Sequence, residues 1–188
     1  ITCPEDSERL GVAIIYQEFN LVPGLTVAEN IFMRRQPKKN GMIDWKRMNQ
    51  MAQAIIDEID INIRPTDIVN TLTVAEQQMV EICKAVSLNS KILIMDEPTS
   101  ALTESETQKL FNVVRSLNKK DVTMIFITHR MDEVFEICTN TVILRDGQFI
   151  TAAPISELTL DQIIEYIVGR SLTEIYPERD NEIGEEYL

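Results

Sequence analysis

The chain has 188 residues, 44% of them hydrophobic and 26% charged, ordinary globular proportions that allow one core and part of a second. A net charge of −12 argues against a nucleic-acid surface, which needs clustered Lys and Arg, so no nucleic-acid partner is expected. No apolar stretch approaches the roughly 18–20 residues that span a bilayer, and no secretory signal opens the chain.

The opening residue is Ile1, and Ile1–Arg9 is a charged lead-in to a buried run, so the chain reads as a fragment. Val12–Ile15 reads as a short buried strand, followed by Gln17-Glu18 and a turn at Pro23-Gly24. A mostly helical stretch comes next. Thr26 and Glu29 form a capping box ahead of Ile31-Phe32-Met33. Asp44 caps a second helix with Met48, Met51, Ala52, Ile55, Ile56 and Ile59 on its buried face, and Pro65 ends that segment. A third helix starts at Thr73, with Glu76 as box partner, and carries Val80, Cys83 and Val86 inward. From Lys91 the pattern becomes alternating buried strands and helices. One strand ends at Asp96, a helix capped by Thr103 and Glu106 buries Leu110, Val113, Val114 and Leu117, and a second strand ends at Thr128. Met131–Cys138 is a short helix. Thr141–Leu144 and Gln148–Thr151 flank Arg145-Asp146-Gly147 as a hairpin, and Asp161–Val168 is a last amphipathic helix. After Gly169 the tail turns polar and acidic and reads as a linker. Cys3, Cys83 and Cys138 form no C-x-x-C pair and read as reduced thiols packed as small hydrophobes.

Chemistry gathers at two strand ends. Ile92-Leu93-Ile94-Met95 runs into Asp96-Glu97, and the next buried run delivers the only histidine, His129. Open α/β sheets place their sites just beyond the carboxyl ends of such strands. One carboxylate can hold Mg²⁺ through water, its neighbour can orient a water, and the imidazole can meet a terminal phosphate. Read alone, Asp96-Glu97 serves equally well to end a strand and cap a turn, and a lone histidine is more often structural. Gln17 could offer its amide oxygen to Mg²⁺ or water. Leu72-Thr73-Val74-Ala75-Glu76 repeats Leu25-Thr26-Val27-Ala28-Glu29, so a repeated capping box explains both. The second copy continues as Gln77-Gln78-Met79-Val80-Glu81-Ile82, a helix running towards the acidic strand with its N-terminus suited to a phosphate. None of the six glycines starts a G-x-x-x-x-G-K-[ST] phosphate loop.

With Gln17, Leu72 to Gln78, Asp96-Glu97, Ser100-Ala101-Leu102-Thr103 and His129 in that order, the chain resembles the ATP-binding cassette (ABC) ATPases over almost its whole length. The resemblance implies an α/β fold, a partial P-loop NTPase core with a mostly parallel sheet and a helical subdomain insert. It implies catalytic roles for Glu97, His129 and Gln17, with Asp96 and Gln17 on Mg²⁺. It implies ATP contacts from Asp96, Ser100 and the signature residues Thr73, Val74, Ala75, Glu76 and Gln77. Residues 1–21 would end the N-terminal lobe and hold the Q-loop, and 22–88 would form the helical subdomain. Residues 89–168 would be the core with Walker B and switch histidine, and 169–188 a linker to a second cassette.

Tyr16 to Leu21, Val27 to Phe32, Gln77 to Ile82 and Val168-Gly169-Arg170-Ser171-Leu172 resemble the first cassette of tandem ATPases for monosaccharide import. That branch implies a sugar permease, a solute-binding protein and a second cassette in the same chain as partners. It implies a peripheral position at the cytoplasmic face of the membrane. The usual signature is Leu-Ser-Gly-Gly-Gln; Val74, Ala75 and Glu76 replace its glycines and glutamine, which implies a less active composite site. Without the Walker A half, the fragment alone is expected to be inactive. Two other readings are a non-transport cassette ATPase and a nucleotide-free interaction module.

Overall fold

The computed structural model describes residues 4–169, which divide into two compact units on either side of the His129–Arg130 bond. In the first unit, helix α1 (Pro4–Arg9) leads to strand β1 (Val12–Ile15), which pairs in parallel with β4 (Ile92–Asp96), itself parallel to β5 (Thr123–Ile127). The lead-in is thus helical where the sequence suggested only a charged segment. Register aligns Ala13, Leu93 and Met124 across the sheet, and Ile15, Met95 and Phe126 two residues on. Because side chains alternate, these six share one face. That face packs on α4 (Val74–Val86) and α5 (Glu104–Asn118), and Phe111 of α5 meets Phe126 edge-on with centroids 6.1 Å apart.

Between β1 and β4 lies a helical layer. Its first helix, α2 (Val27–Ile31), has both halves of the Thr26–Glu29 capping box. Its first two amides, at Val27 and Ala28, donate to the carbonyls of Asp67 and Pro65 at 2.9 Å each. The returning segment therefore satisfies donors that a helix start leaves open. An Asn40–Gly41 turn joins β2 (Lys38–Lys39) to β3 (Met42–Ile43), a small hairpin inside the stretch expected to be mostly helical. Asn40 and Gly41 both take positive φ, the geometry an Asn-Gly hairpin turn requires. Helix α3 (Trp45–Ile59) starts at Asp44, whose carboxylate accepts from the Arg47 amide.

Met48, Ala52, Ile56 and Ile59 of α3 are buried, whereas Met51 is exposed and Ile55 half-buried. Met51 lies at the rim of the apolar stripe rather than its centre, because each residue turns the helix by about 100°. On α4 the inward residues are Met79, Val80, Ile82, Cys83 and Ala85; Val86, expected inside, is only half-buried at the helix end.

The second unit holds α6 (Met131–Ile137), the antiparallel hairpin β6 (Asn140–Arg145) and β7 (Gln148–Pro154), and α7 (Leu160–Val168). Asp146 and Gly147 have φ of 52° and 74°, as the Asp-Gly step implied. Helix α7 is boxed by Thr159 and Gln162 and packs on β6, where Ile143 and Ile163 are buried. The expected linker from Arg170 to Leu188, including Arg170-Ser171-Leu172, and Cys3 lie outside the described residues. Among the described residues no helix is long and apolar enough to cross a membrane.

Candidate active site

Parallel pairing brings the ends of β1, β4 and β5 to one edge of the sheet, and three of the sequence-derived candidates meet there. Glu97 follows β4 directly, His129 lies two residues past β5, and Gln17 two residues past β1. The Glu97 carboxylate is held on both oxygens. Gln17 Nε2 donates to Oε2 at 3.2 Å, and His129 Nδ1 lies 2.9 Å from Oε1. A carboxylate only accepts, so Nδ1 carries the proton in this contact and Nε2 is left for an incoming group. The imidazole is 75% exposed and the Glu97 side chain 28%, so the pair opens to solvent instead of closing into the core.

The backbone aims this carboxylate. Glu97 has a φ of 44°, the left-handed region that an L side chain enters at a cost of about 1–2 kcal/mol. Its amide donates to the Ile127 carbonyl at 2.9 Å, so the β4–β5 ladder extends one rung beyond the strand and holds the strained residue in place. The next turn closes with the Ser100 amide donating to the Glu97 carbonyl at 3.2 Å, which places exposed Ser100 beside the same residue along the chain.

Asp96 is the last residue of β4, opposite Ile127, and alternation puts it on the face of Ile92 and Ile94. Among the described residues no three His, Cys, Asp or Glu side chains gather as metal ligands. The single Asp96 carboxylate suits Mg²⁺ in its usual manner, held mostly by water and substrate phosphate. A cradle for that phosphate is the element this sequence does not supply.

The signature residues form a separate arrangement. Thr73 caps α4, its amide and hydroxyl donate to Glu76 Oε2 at 2.8 and 3.0 Å, and the Glu76 amide returns to Thr73 Oγ1 at 3.3 Å. Gln77 Nε2 donates to the Leu72 carbonyl at 3.0 Å, Val74 is exposed and Ala75 buried. The Glu76 carboxylate thus occupies the amide and hydroxyl at a helix start that was expected to face a phosphate. Residues that sequence reasoning passed over hold the backbone of the loop that carries Gln17: Glu81 and Lys84 of α4 and Asn30 of α2. The available signal was a lone acidic residue between buried apolar neighbours on α4, and it was read only as part of a string.

The family model described as ABC transporter matches residues 3–100, a span that takes in Gln17, the Thr73–Gln77 stretch, Asp96 and Glu97. The chain belongs to the ABC transporter family. Its fold agrees: a nucleotide-free ATP-binding cassette from an ABC transporter superposes with a TM-score of 0.73 at 22% identity, over 87% of this chain and 70% of that one. The α/β class with a parallel sheet and a helical layer is therefore the cassette architecture.

Among curated relatives, the ribose import ATP-binding protein RbsA of Geobacillus kaustophilus is 46% identical over 187 residues. The galactose/methyl galactoside import ATP-binding protein MglA of Treponema denticola is 43% identical over 185 residues. Each alignment covers 98% of this chain but only 38% and 37% of the relatives, so the chain spans well under half their length.

Proposed function

We propose that this chain is the hydrolytic part of the first cassette in an ATPase that powers monosaccharide import. The observation that carries the reading is the Glu97 carboxylate held between Gln17 and His129 at the tips of three parallel strands. The import ATP-binding proteins that align along nearly the whole chain support the sugar assignment. Glu97 orients and deprotonates the attacking water, with two lone pairs on each oxygen leaving room for it beside Gln17 and His129. His129 would meet the γ-phosphate as an imidazolium, donating from Nε2 while Nδ1 keeps its contact with Glu97, and Asp96 with Gln17 would hold Mg²⁺. When bound, that ion supplies charge neutralisation at the β- and γ-phosphates. Thr73 to Gln77 and Ser100 face the nucleotide of an opposing cassette, with the Thr73–Glu76 box lowering the anion affinity of this signature.

In this reading residues 1–21 close the N-terminal lobe, 22–88 form the helical subdomain, 89–168 the core, and 169–188 lead to a second cassette. The partners are a sugar permease and a solute-binding protein, and the site of action is the cytoplasmic face of the membrane. The test is Glu97→Gln in the complete protein. Turnover is expected to fall at least a hundredfold, in the range set by loss of a general base, while ATP binding persists. Turnover that stays at the wild-type rate removes Glu97 from the role.

A further inference from the structure

The loop that carries Gln17 has no helix or strand of its own between β1 and α2, yet side chains grip its backbone at Asn20 and at Val22. Three residues past Gln17, both polar groups of Asn20 are taken by α4. The Asn20 amide donates to Glu81 Oε1 at 2.7 Å, and its carbonyl accepts from Lys84 Nζ at 2.8 Å. Glu81 and Lys84 face each other at 3.6 Å, one helical turn apart. Glu81 is only 6% exposed. A carboxylate buried to that degree persists where hydrogen bonds and an opposite charge offset its lost hydration, and both are present here. The second grip is Asn30, fully buried on α2, whose Oδ1 accepts from the Val22 amide at 2.7 Å and whose Nδ2 donates to the Val22 carbonyl at 3.2 Å. Only residues 16–19 remain between the end of β1 and the first grip, and Gln17 is among them.

We propose that Glu81 and Lys84 clamp the Asn20 backbone and so set the reach of Gln17 to Glu97, which makes them positioning residues for hydrolysis. The clamp rests on the reading of Gln17 and Glu97 as hydrolytic groups. Helix α4 is continuous from its Thr73 cap to Val86, so a displacement at the cap is carried to Glu81, about 12 Å along the axis. Asn20 follows because both its polar groups are held. The Gln17–Glu97 contact, long at 3.2 Å, then tightens or opens with α4. The helix whose start carries the signature residues thereby reports its position to the carboxylate of its own cassette.

Two measurements on the complete protein test this. Hydrogen exchange at the Asn20 amide, with Ile82 as reference, is expected to speed up about tenfold or more in Glu81→Ala, the order of one charge-assisted hydrogen bond. Unchanged Asn20 exchange overturns the clamp. Steady-state ATP turnover separates positioning from packing. Glu81→Ala is expected to lower kcat about tenfold at constant KM, and Glu81→Gln, which keeps an acceptor for the Asn20 amide, to recover most of it. Adding Glu81→Ala to Gln17→Ala should cost nothing further, because both act through one contact. Additive losses, or a Gln variant no better than Ala, overturn the positioning role. If Glu81→Ala does not fold, Lys84→Met at a partly exposed side chain enters the same cycle. A wild-type protein without turnover sinks the ATPase reading, and Asn20 exchange then decides the clamp by itself.

Discussion

Single side chains in this chain owe their behaviour to what surrounds them, and the buried polar ones show it most directly. Asn30 makes four hydrogen bonds from a fully buried position, two of them to Val22 and the others to the carbonyls of Leu25 and Thr26. Asn30→Ala removes a fully buried partner from the Val22 amide and from three carbonyls, so urea unfolding is expected to show a loss of about 2–3 kcal/mol. Cys83 is a second case. Desolvation by burial inside α4 pushes its thiol up to about 12, and its packing is that of a small hydrophobe. Thiol alkylation at pH 8 should therefore leave Cys83 unmodified in the native chain and label it once denaturant is added. Rapid native labelling would mean that α4 opens far more readily than its contacts imply.

Elements here start on a recurring device: Thr26, Thr73, Thr103 and Thr159 each cap a helix through a box with Glu29, Glu76, Glu106 or Gln162. Because the partner lies three residues on, this is local chemistry; the first three boxes were read from the sequence, whereas the Thr159–Gln162 box was missed when the last helix was started at Asp161. The Thr103 amide and hydroxyl, donating to Glu106 at 2.8 and 2.7 Å, hold that carboxyl below the usual glutamate range. A depressed folded value means the stabilisation is present above the unfolded value and fades as pH falls through the folded one. Carboxyl carbon titration should place Glu106 below an ordinary glutamate, and Thr103→Ala should return it upward. The β2–β3 hairpin shows the opposite situation. Asn40-Gly41 carried a turn signal, but with only two residues on each side the flanking strands left no period to detect.

At the scale of the first unit, α4 and α5 cover one face of the sheet. Val12, Ile14, Ile92, Ile94, Ile125 and Ile127 point away from α4 and α5, and Ile14, Ile125 and Ile127 are 39%, 46% and 47% exposed. Apolar surface of this kind binds hydrophobic dyes and invites association. Replacing Ile14 and Ile125 with Thr, another β-branched residue, should cut dye binding while moving the unfolding free energy by less than about 0.5 kcal/mol per site. Dye binding that stays constant would locate the exposed apolar surface elsewhere.

Local pattern by itself determined the strands at Val12–Ile15 and Ile92–Asp96, a strand expected to reach Thr128 that ends at Ile127, the helix starts at Thr26, Asp44, Thr73 and Thr103, and the Asp146-Gly147 hairpin, because each depends on neighbours within one or two turns of chain. It also placed Glu97, Gln17 and His129 at strand ends. Which strands adjoin was a tertiary matter, since β1 pairs with β4 at Ala13 and Leu93, 80 positions apart in the chain. So was the conformation of Glu97, whose positive φ is held by the carbonyl of Ile127 and by nothing in its own sequence neighbourhood. The grip on Asn20 belongs to the same class. An acidic residue between apolar neighbours marked Glu81 as unusual, but its partner, 61 residues away, became visible only when the fold brought the loop after β1 against α4.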